Sequence, residues 1–116
     1  MPDFAESRGE IRILCQINVL FRVNFENFYG TCRNLGPQGM FIGYEGGMNE
    51  GDRVEISFLL AASGSSLIEA WGRVVWVNTG PDRNMQMPEG FGVQFLGMTD
   101  ESRRMIDRFI SQGLPG

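Results

Sequence analysis

Two arginines near the start of the chain carry side chains well suited to binding an anion. Arg8 and Arg12 are separated by three residues and stand at the start of a long predicted strand. In extended backbone this spacing lets both guanidinium groups reach one ligand from the same side. A guanidinium binds phosphate with two parallel hydrogen bonds, donates to the acceptor edge of guanine and stacks on bases. The pair therefore indicates an anionic ligand, although two solvated charges at a domain edge would show the same spacing.

A glycine-containing turn is the second candidate for chemistry. Asn34 ends a predicted strand, and the residues Gly36, Pro37, Gln38 and Gly39 follow it. The Asn34 amide offers a donor and an acceptor to a base or a phosphate, and Gly39 has no side chain to keep a ligand from the backbone. Proline at the second position and glycine at the fourth are also ordinary features of a tight turn. The segment is therefore typical of a turn with a ligand and of a turn without one.

The composition excludes several classes of function. The chain has 116 residues, a net charge of −4 and no histidine, and all of its ten basic residues are arginines. Without histidine, catalytic triads, Cys-His pairs and His-ligated zinc are excluded, and the 14 acidic residues show no recognisable catalytic pairing, so we do not expect an enzyme. The acidic pI of about 4.7 opposes bulk affinity for DNA, RNA or an anionic membrane.

The sequence predicts a cytoplasmic protein. No apolar run is long enough to cross a bilayer, and the acidic N-terminus lacks the basic and apolar segments of a secretory signal. Cys15 and Cys32 both fall in predicted strands, where a cytosolic chain keeps its thiols reduced. We therefore expect two buried free thiols, no metal and no direct membrane insertion.

Alternation of apolar and polar residues predicts an all-β fold. From Ile11 to Phe25 every odd-numbered residue is apolar, which indicates one long strand with one buried face. Glu26–Asn27 is interpreted as the reversal into the next strand, and Trp71 and Trp76 are expected on opposite faces because their spacing is odd. Together the pattern predicts six strands, at residues 11–25, 28–35, 40–42, 52–60, 67–77 and 91–96.

A helix is predicted after the last strand. Thr99 is a suitable helix cap, and the apolar stripe of Met105, Ile106, Phe109 and Ile110 is expected to pack against the sheet. The helix would occupy residues 99–112, before Gly113 and Pro115. The expectation is thus a single domain over residues 1–116, a six-stranded antiparallel β-barrel with one C-terminal α-helix, in which residues 1–10 form a flexible arm.

The order of these motifs and elements resembles the PilZ domain. That family combines Arg-x-x-x-Arg with Asp/Asn-x-Ser-x-x-Gly about one hairpin later, which Arg8, Arg12, Asn34 and Gly39 match here, and the likeness continues through residues 72–77 and 90–95 into the helix. The resemblance implies a receptor for the bacterial second messenger cyclic di-GMP that acts on a protein partner. It also implies a ligand site made of Arg8, Arg12, Asn34, Gly36 and Gly39.

One position departs from the family pattern. Gly36 stands where the family has serine, and Pro37 after it has no N–H to offer in place of the lost hydroxyl. A hydrogen bond to a charged group contributes about 1.5–3 kcal/mol, so the change is expected to weaken ligand binding roughly ten- to a hundredfold. A PilZ-like module that binds proteins and has lost the nucleotide therefore stays open as the alternative function.

Overall fold

Alternation along the first strand decides which of its faces is buried. The computed structural model describes residues 11–60 and 66–113, and in it β1 runs from Ile13 to Val23. Val19 and Phe21 are buried, whereas Leu14, on the other face, is 85% exposed. The odd-numbered residues thus face the interior, as the period-two pattern predicts.

Six antiparallel strands close into a barrel within these residues, and one helix follows them. The order around the barrel is β1-β2-β3-β6-β5-β4, and β4 pairs with β1 to complete the wall. The six-stranded antiparallel β-barrel with one C-terminal helix is therefore confirmed. The predicted arm, residues 1–10, lies outside the described residues. The remaining elements are β2 (Glu26–Leu35), β3 (Gly39–Gly43), β4 (Arg53–Leu60), β5 (Ser66–Asn78), β6 (Gly90–Met98) and α1 (Asp100–Gly113).

The turn between β1 and β2 lies two residues before the predicted position. The chain reverses at Asn24 and Phe25, while Glu26 and Asn27 already belong to β2 and pair with Val23 and Arg22. Asn24 and Phe25 have φ angles of 51° and 68°. Two consecutive positive φ angles are the signature of a type I′ turn, whose twist fits a hairpin. The prediction was wrong because it assigned Phe25, which is 88% exposed, to the buried face.

An irregularity in β5 overturns the prediction that the two tryptophans lie on opposite faces. Val74 pairs with Val93 but Trp76 pairs with Gly92, so Val75 is an extra residue in the ladder. An extra residue shifts the alternation by one and returns the following side chains to the other face. Trp76 therefore shares the outer face with Trp71.

The helix closes one side of the core. Thr99 Oγ1 accepts a hydrogen bond from the Ser102 backbone N–H at 3.0 Å, which caps the first turn. Ile106 and Ile110, from the predicted apolar stripe, are buried in the same cluster as the barrel residues. Burying an isoleucine side chain contributes about 2 kcal/mol, so these contacts hold α1 against the barrel.

Part of the outer wall is apolar and exposed. Leu20 pairs with Tyr29, and Leu59 pairs with Leu67, so these four side chains project from neighbouring strands β2, β1, β4 and β5. We refer to these four residues as the apolar wall; they line a groove of about 820 Å³.

In the described part of the chain, no helix is both long and apolar enough to cross a membrane.

Candidate functional site

The corner where β1 begins beside the end of β2 brings several predicted residues together. Ile13 pairs with Leu35, so Arg12 reaches the end of β2 from the neighbouring strand. Arg12 Nη1 donates to Asn34 Oδ1 at 2.8 Å and lies 3.4 Å from the Gly39 carbonyl oxygen. We call Arg12, Asn34, Gly36 and Gly39 the arginine corner.

The turn of the arginine corner is held by three separate elements. Gly36 N–H donates to the Gly39 carbonyl at 2.9 Å, and Phe95 N–H of β6 donates to the Gln38 carbonyl at 2.8 Å. Arg103 of α1 donates through Nη1 to the Pro37 carbonyl. Three successive carbonyls thus accept hydrogen bonds from the turn itself, a strand and the helix, which leaves the turn little freedom to move.

A bulge at Arg33 sets the direction of Asn34. In the pairing of β2 with β3, Cys32 lies opposite Ile42 and Asn34 opposite Phe41, which leaves Arg33 without an opposite residue. Leu35, next to Asn34, is fully buried. Since neighbouring strand residues point to opposite faces, Asn34 points to the outside of the barrel, towards Arg12.

Two aromatic residues lie in the same row of the outer face as Asn34. Phe41 pairs with Asn34 and Gly92, and Gly92 pairs with Trp76, so Phe41 and Trp76 flank a residue that has no side chain. Their ring centroids are 5.5 Å apart. The sequence does not predict this pair near the site, because the bulge that turns Trp76 outwards leaves no signal in the residue pattern.

Two thiols lie directly behind the corner. Cys15 Sγ is 3.7 Å from Cys32 Sγ, and Cys32 Sγ is 3.2 Å from the carbonyl oxygen of Asn34. Both cysteines are free, as the sequence predicts. Cys32 is buried, but Cys15 is partly exposed, so the predicted burial of Cys15 was wrong. The hydrogen bond from Cys32 lowers the pKa of Cys15, although burial opposes this effect. The same hydrogen bond and burial both raise the pKa of Cys32.

A sequence model of the PilZ domain matches residues 6–112 of the chain. The chain belongs to the PilZ domain family. No curated protein matches it significantly. The recognition of the family from its arginine and asparagine motifs is therefore confirmed.

Solved structures with a similar fold include a PilZ domain and an inhibitor of motility. The PilZ domain of YcgR from Escherichia coli, solved with cyclic di-GMP, has a TM-score of 0.70 at 14% identity, and the match covers 93% of this chain and 92% of that one. The inhibitor of motility MotI/DgrA from Bacillus subtilis has a TM-score of 0.76 at 12% identity. That match covers 97% of this chain but 56% of the MotI chain. At identities this low, the structural similarity shows a shared fold and does not by itself show a shared function.

The structure brings together four of the five residues that the PilZ pattern assigns to the ligand. Arg12, Asn34, Gly36 and Gly39 form the arginine corner, while Arg8 lies outside the described residues. Their role in binding a ligand stays a prediction. Among the described residues, no three or more His, Cys, Asp or Glu side chains are grouped in a way that could hold a metal ion. The corner combines the guanidinium of Arg12 with the side-chain amide of Asn34, two groups that can donate hydrogen bonds to an anion.

Proposed function

We propose that this PilZ domain is a receptor for cyclic di-GMP and that the nucleotide binds at the arginine corner. The observation that carries the proposal is the hydrogen bond of 2.8 Å between Arg12 and Asn34, residues 22 positions apart that represent the two halves of the family pattern. The YcgR domain, which has a similar fold and was solved with cyclic di-GMP, supports the choice of ligand.

The geometry of Arg12 suits the recognition of a phosphate. Its bonds to Asn34 Oδ1 and the Gly39 carbonyl hold the side chain in one orientation beside the turn. A side chain that is ordered before binding loses less conformational entropy when the ligand arrives. In the proposal, Arg12 donates to a phosphate or to the guanine edge, and Arg8 supplies the second guanidinium from the residues that precede it.

Local charge at the turn favours an anion although the whole chain is acidic. Arg12 and Arg103 contact carbonyls of the same turn, at Gly39 and Pro37. Contact-distance interactions are screened little, whereas charges beyond the Debye length of about 8 Å are largely screened. The two phosphates of cyclic di-GMP would therefore respond to these guanidinium groups more than to the net charge of −4.

Titration calorimetry with cyclic di-GMP tests the proposal on the wild type, Arg12→Ala and a matched control, Arg22→Ala. Arg22 lies near the other end of β1, beside Phe25, so its removal changes the net charge equally and leaves the corner intact. We expect saturable binding by the wild type and the control, and affinity at least about tenfold weaker for Arg12→Ala. No saturable heat with the wild type, or equal affinity for Arg12→Ala, would contradict the proposal.

Gly36 provides a second test at the same turn. Its backbone N–H is already used by the Gly39 carbonyl, so a serine hydroxyl at this position would add a donor. Gly36→Ser is expected to strengthen binding by about tenfold or more. A variant that folds normally and gains no affinity would show that this position does not contact the ligand.

We further propose that the domain acts in the cytoplasm and passes the ligand signal to a protein partner, without catalysis. The supporting observation is the apolar wall, in which Tyr29 is 79%, Leu59 56% and Leu67 57% exposed. Exposed apolar patches on soluble domains are common at protein interfaces.

The alternative is a PilZ module that binds a protein and has lost the nucleotide. Gly36 in place of the family serine and the exposed apolar wall favour this second candidate. A ligand that binds the native state raises its stability, so the alternative predicts an unchanged Tm with cyclic di-GMP for both wild type and Gly36→Ser. A rise in Tm that Arg12→Ala abolishes would contradict the alternative.

A further inference from the structure

We propose that Cys15 and Cys32 form an oxidation site, at which a peroxide converts the two thiols into a disulfide that joins β1 to β2. The proposal rests on the contact between their sulfur atoms, 3.7 Å apart on neighbouring strands. A disulfide has a sulfur–sulfur distance of about 2.05 Å, so the sulfurs need to approach by less than about 2 Å.

Irregular pairing between β1 and β2 explains why these two residues meet. Leu14 pairs with Asn34 and Ile17 with Cys32, so Cys15 and Gln16 together face Arg33 alone. The bulge lets the Cys15 side chain reach Cys32 diagonally, on the inner side of the wall. The bulge interrupts the hydrogen-bond ladder at this point, so less regular backbone pairing opposes the small approach that the disulfide needs.

The two cysteines differ in a way that suits a two-step oxidation. Cys15 is partly exposed and can meet a peroxide, whereas Cys32 is buried and lies beside it. The pKa of Cys15 is lowered because Cys32 donates a hydrogen bond to its thiolate, and the pKa of Cys32 is raised. The thiolate is the reactive form, so Cys15 is the residue that attacks.

The chemistry balances with one peroxide for each pair of thiols. The Cys15 sulfur attacks a peroxide oxygen, the O–O bond breaks, and a sulfenic acid forms while hydroxide leaves and takes up a proton as water. The Cys32 sulfur then attacks the Cys15 sulfur, the S–O bond breaks, and the departing hydroxide combines with the Cys32 proton as a second water. Both sulfurs are oxidised, and the peroxide is reduced to two waters.

The disulfide would change the backbone on which the arginine corner depends. Cys32 Sγ lies 3.2 Å from the Asn34 carbonyl oxygen, and the disulfide would draw this sulfur towards Cys15 and away from that contact. It also pulls on β2 two residues before Asn34. We therefore expect the oxidised protein to bind cyclic di-GMP at least about threefold more weakly, an expectation that rests on the proposed function.

Treatment of the ligand-free wild type with hydrogen peroxide, followed by thiol alkylation and mass spectrometry, tests the oxidation site. We expect a loss of two hydrogens in mass, no alkylated cysteine, and a peptide in which residues 15 and 32 are cross-linked, all reversed by dithiothreitol. Cys15→Ser is expected to leave Cys32 reduced, because the attacking thiol is gone. Two thiols that still alkylate, or oxygen added to Cys15 while Cys32 stays reduced, would overturn the proposal.

A second measurement separates a reactive pair from two neighbouring thiols. In Cys32→Ala the hydrogen bond to the Cys15 thiolate is lost, so the alkylation of Cys15 near neutral pH should slow and its pH midpoint should rise. An unchanged midpoint would contradict the role assigned to Cys32. Calorimetry on the reduced and oxidised wild type then tests whether oxidation weakens cyclic di-GMP binding. Equal affinities of the two forms would overturn this effect of oxidation. No binding by the reduced protein would contradict the proposed function, but it would not affect the detection of the disulfide by mass spectrometry.

Discussion

Two asparagines stand near strand ends, Asn34 one residue before the end of β2 and Asn78 at the last residue of β5. The Asn78 amide nitrogen donates to the carbonyls of Asn84 and Pro88, and its oxygen accepts from the Asn84 N–H at 2.8 Å. Asn34 instead accepts from the side chain of Arg12. Asn78 is 3% exposed, whereas Asn34 is only partly buried.

The two asparagines differ in what their side chains bind. Asn78 holds its own loop, whereas Asn34 is bound by an arginine side chain on the outer face. Both hydrogens of the Asn78 amide are used by its own loop, so the residue has no donor left for a ligand. Asn34 lies on the outer face and joins a guanidinium that comes from another strand. The same residue type at a similar position in a strand thus serves structure in one region and, in our proposal, ligand binding in the other.

Asn78→Ala is expected to have the largest effect on folding. It removes the three hydrogen bonds through which this buried side chain holds the backbone of Asn84 and Pro88, so the free energy of unfolding should fall by about 2–4 kcal/mol. Chemical denaturation measures this loss. Affinity for cyclic di-GMP, measured at a temperature where the variant is folded, should stay within about twofold of the wild type. A tenfold loss of affinity would contradict a purely structural role for Asn78.

Asn34→Ala is the matched variant and should show the reverse pattern. It removes one partly exposed hydrogen bond, so denaturation should report a loss of about 1 kcal/mol in unfolding free energy. Calorimetry should report affinity about tenfold weaker, because Arg12 loses the partner that orients it. If Asn34→Ala destabilised the fold as much as Asn78→Ala, the two asparagines would be equivalent and the distinction would be wrong.

The regular strands and the main site residues could be predicted from the sequence, whereas the irregular positions of the strands could not. Period-two alternation in β1 and the spacing of turn residues indicated the barrel, and the Arg and Asn motifs indicated residues that the corner brings together. The extra residue at Val75 and the bulge at Arg33 have no local signal, because a bulge depends on the pairing of two strands. The role of Asn78 depends on how its loop returns, and the contact of Arg103 with Pro37 spans 66 residues.

Arg103→Met tests whether the helix helps to hold the turn of the corner. Methionine keeps an extended apolar side chain but removes the donor to the Pro37 carbonyl and the ion pair with Asp107. Affinity for cyclic di-GMP should fall by roughly two- to fivefold and stability by at most about 1 kcal/mol, since the side chain is partly exposed. Arg104→Met, on the exposed side of the same helix, is the control for charge and should change neither value.

Phe25→Gly should have the smallest effect. Glycine suits the φ of 68° at this turn position, but the contact of Arg22 with the Phe25 ring is lost, so the net gain in unfolding free energy is about 0.5 kcal/mol. The hairpin tip lies at the opposite end of β1 from Arg12, so affinity should not change. A change in affinity would place part of the ligand contact outside the corner.

The measurement that tests the central claim most directly is a nuclear magnetic resonance titration of ¹⁵N-labelled protein with cyclic di-GMP. The side-chain amide of Asn34 and the backbone amides of Gly36 and Gly39 should shift with a common saturation curve, while the side-chain amide of Asn78 should not move. Shifts confined to the apolar wall, or no shift at ligand concentrations that saturate typical receptors, would contradict a nucleotide site at the arginine corner.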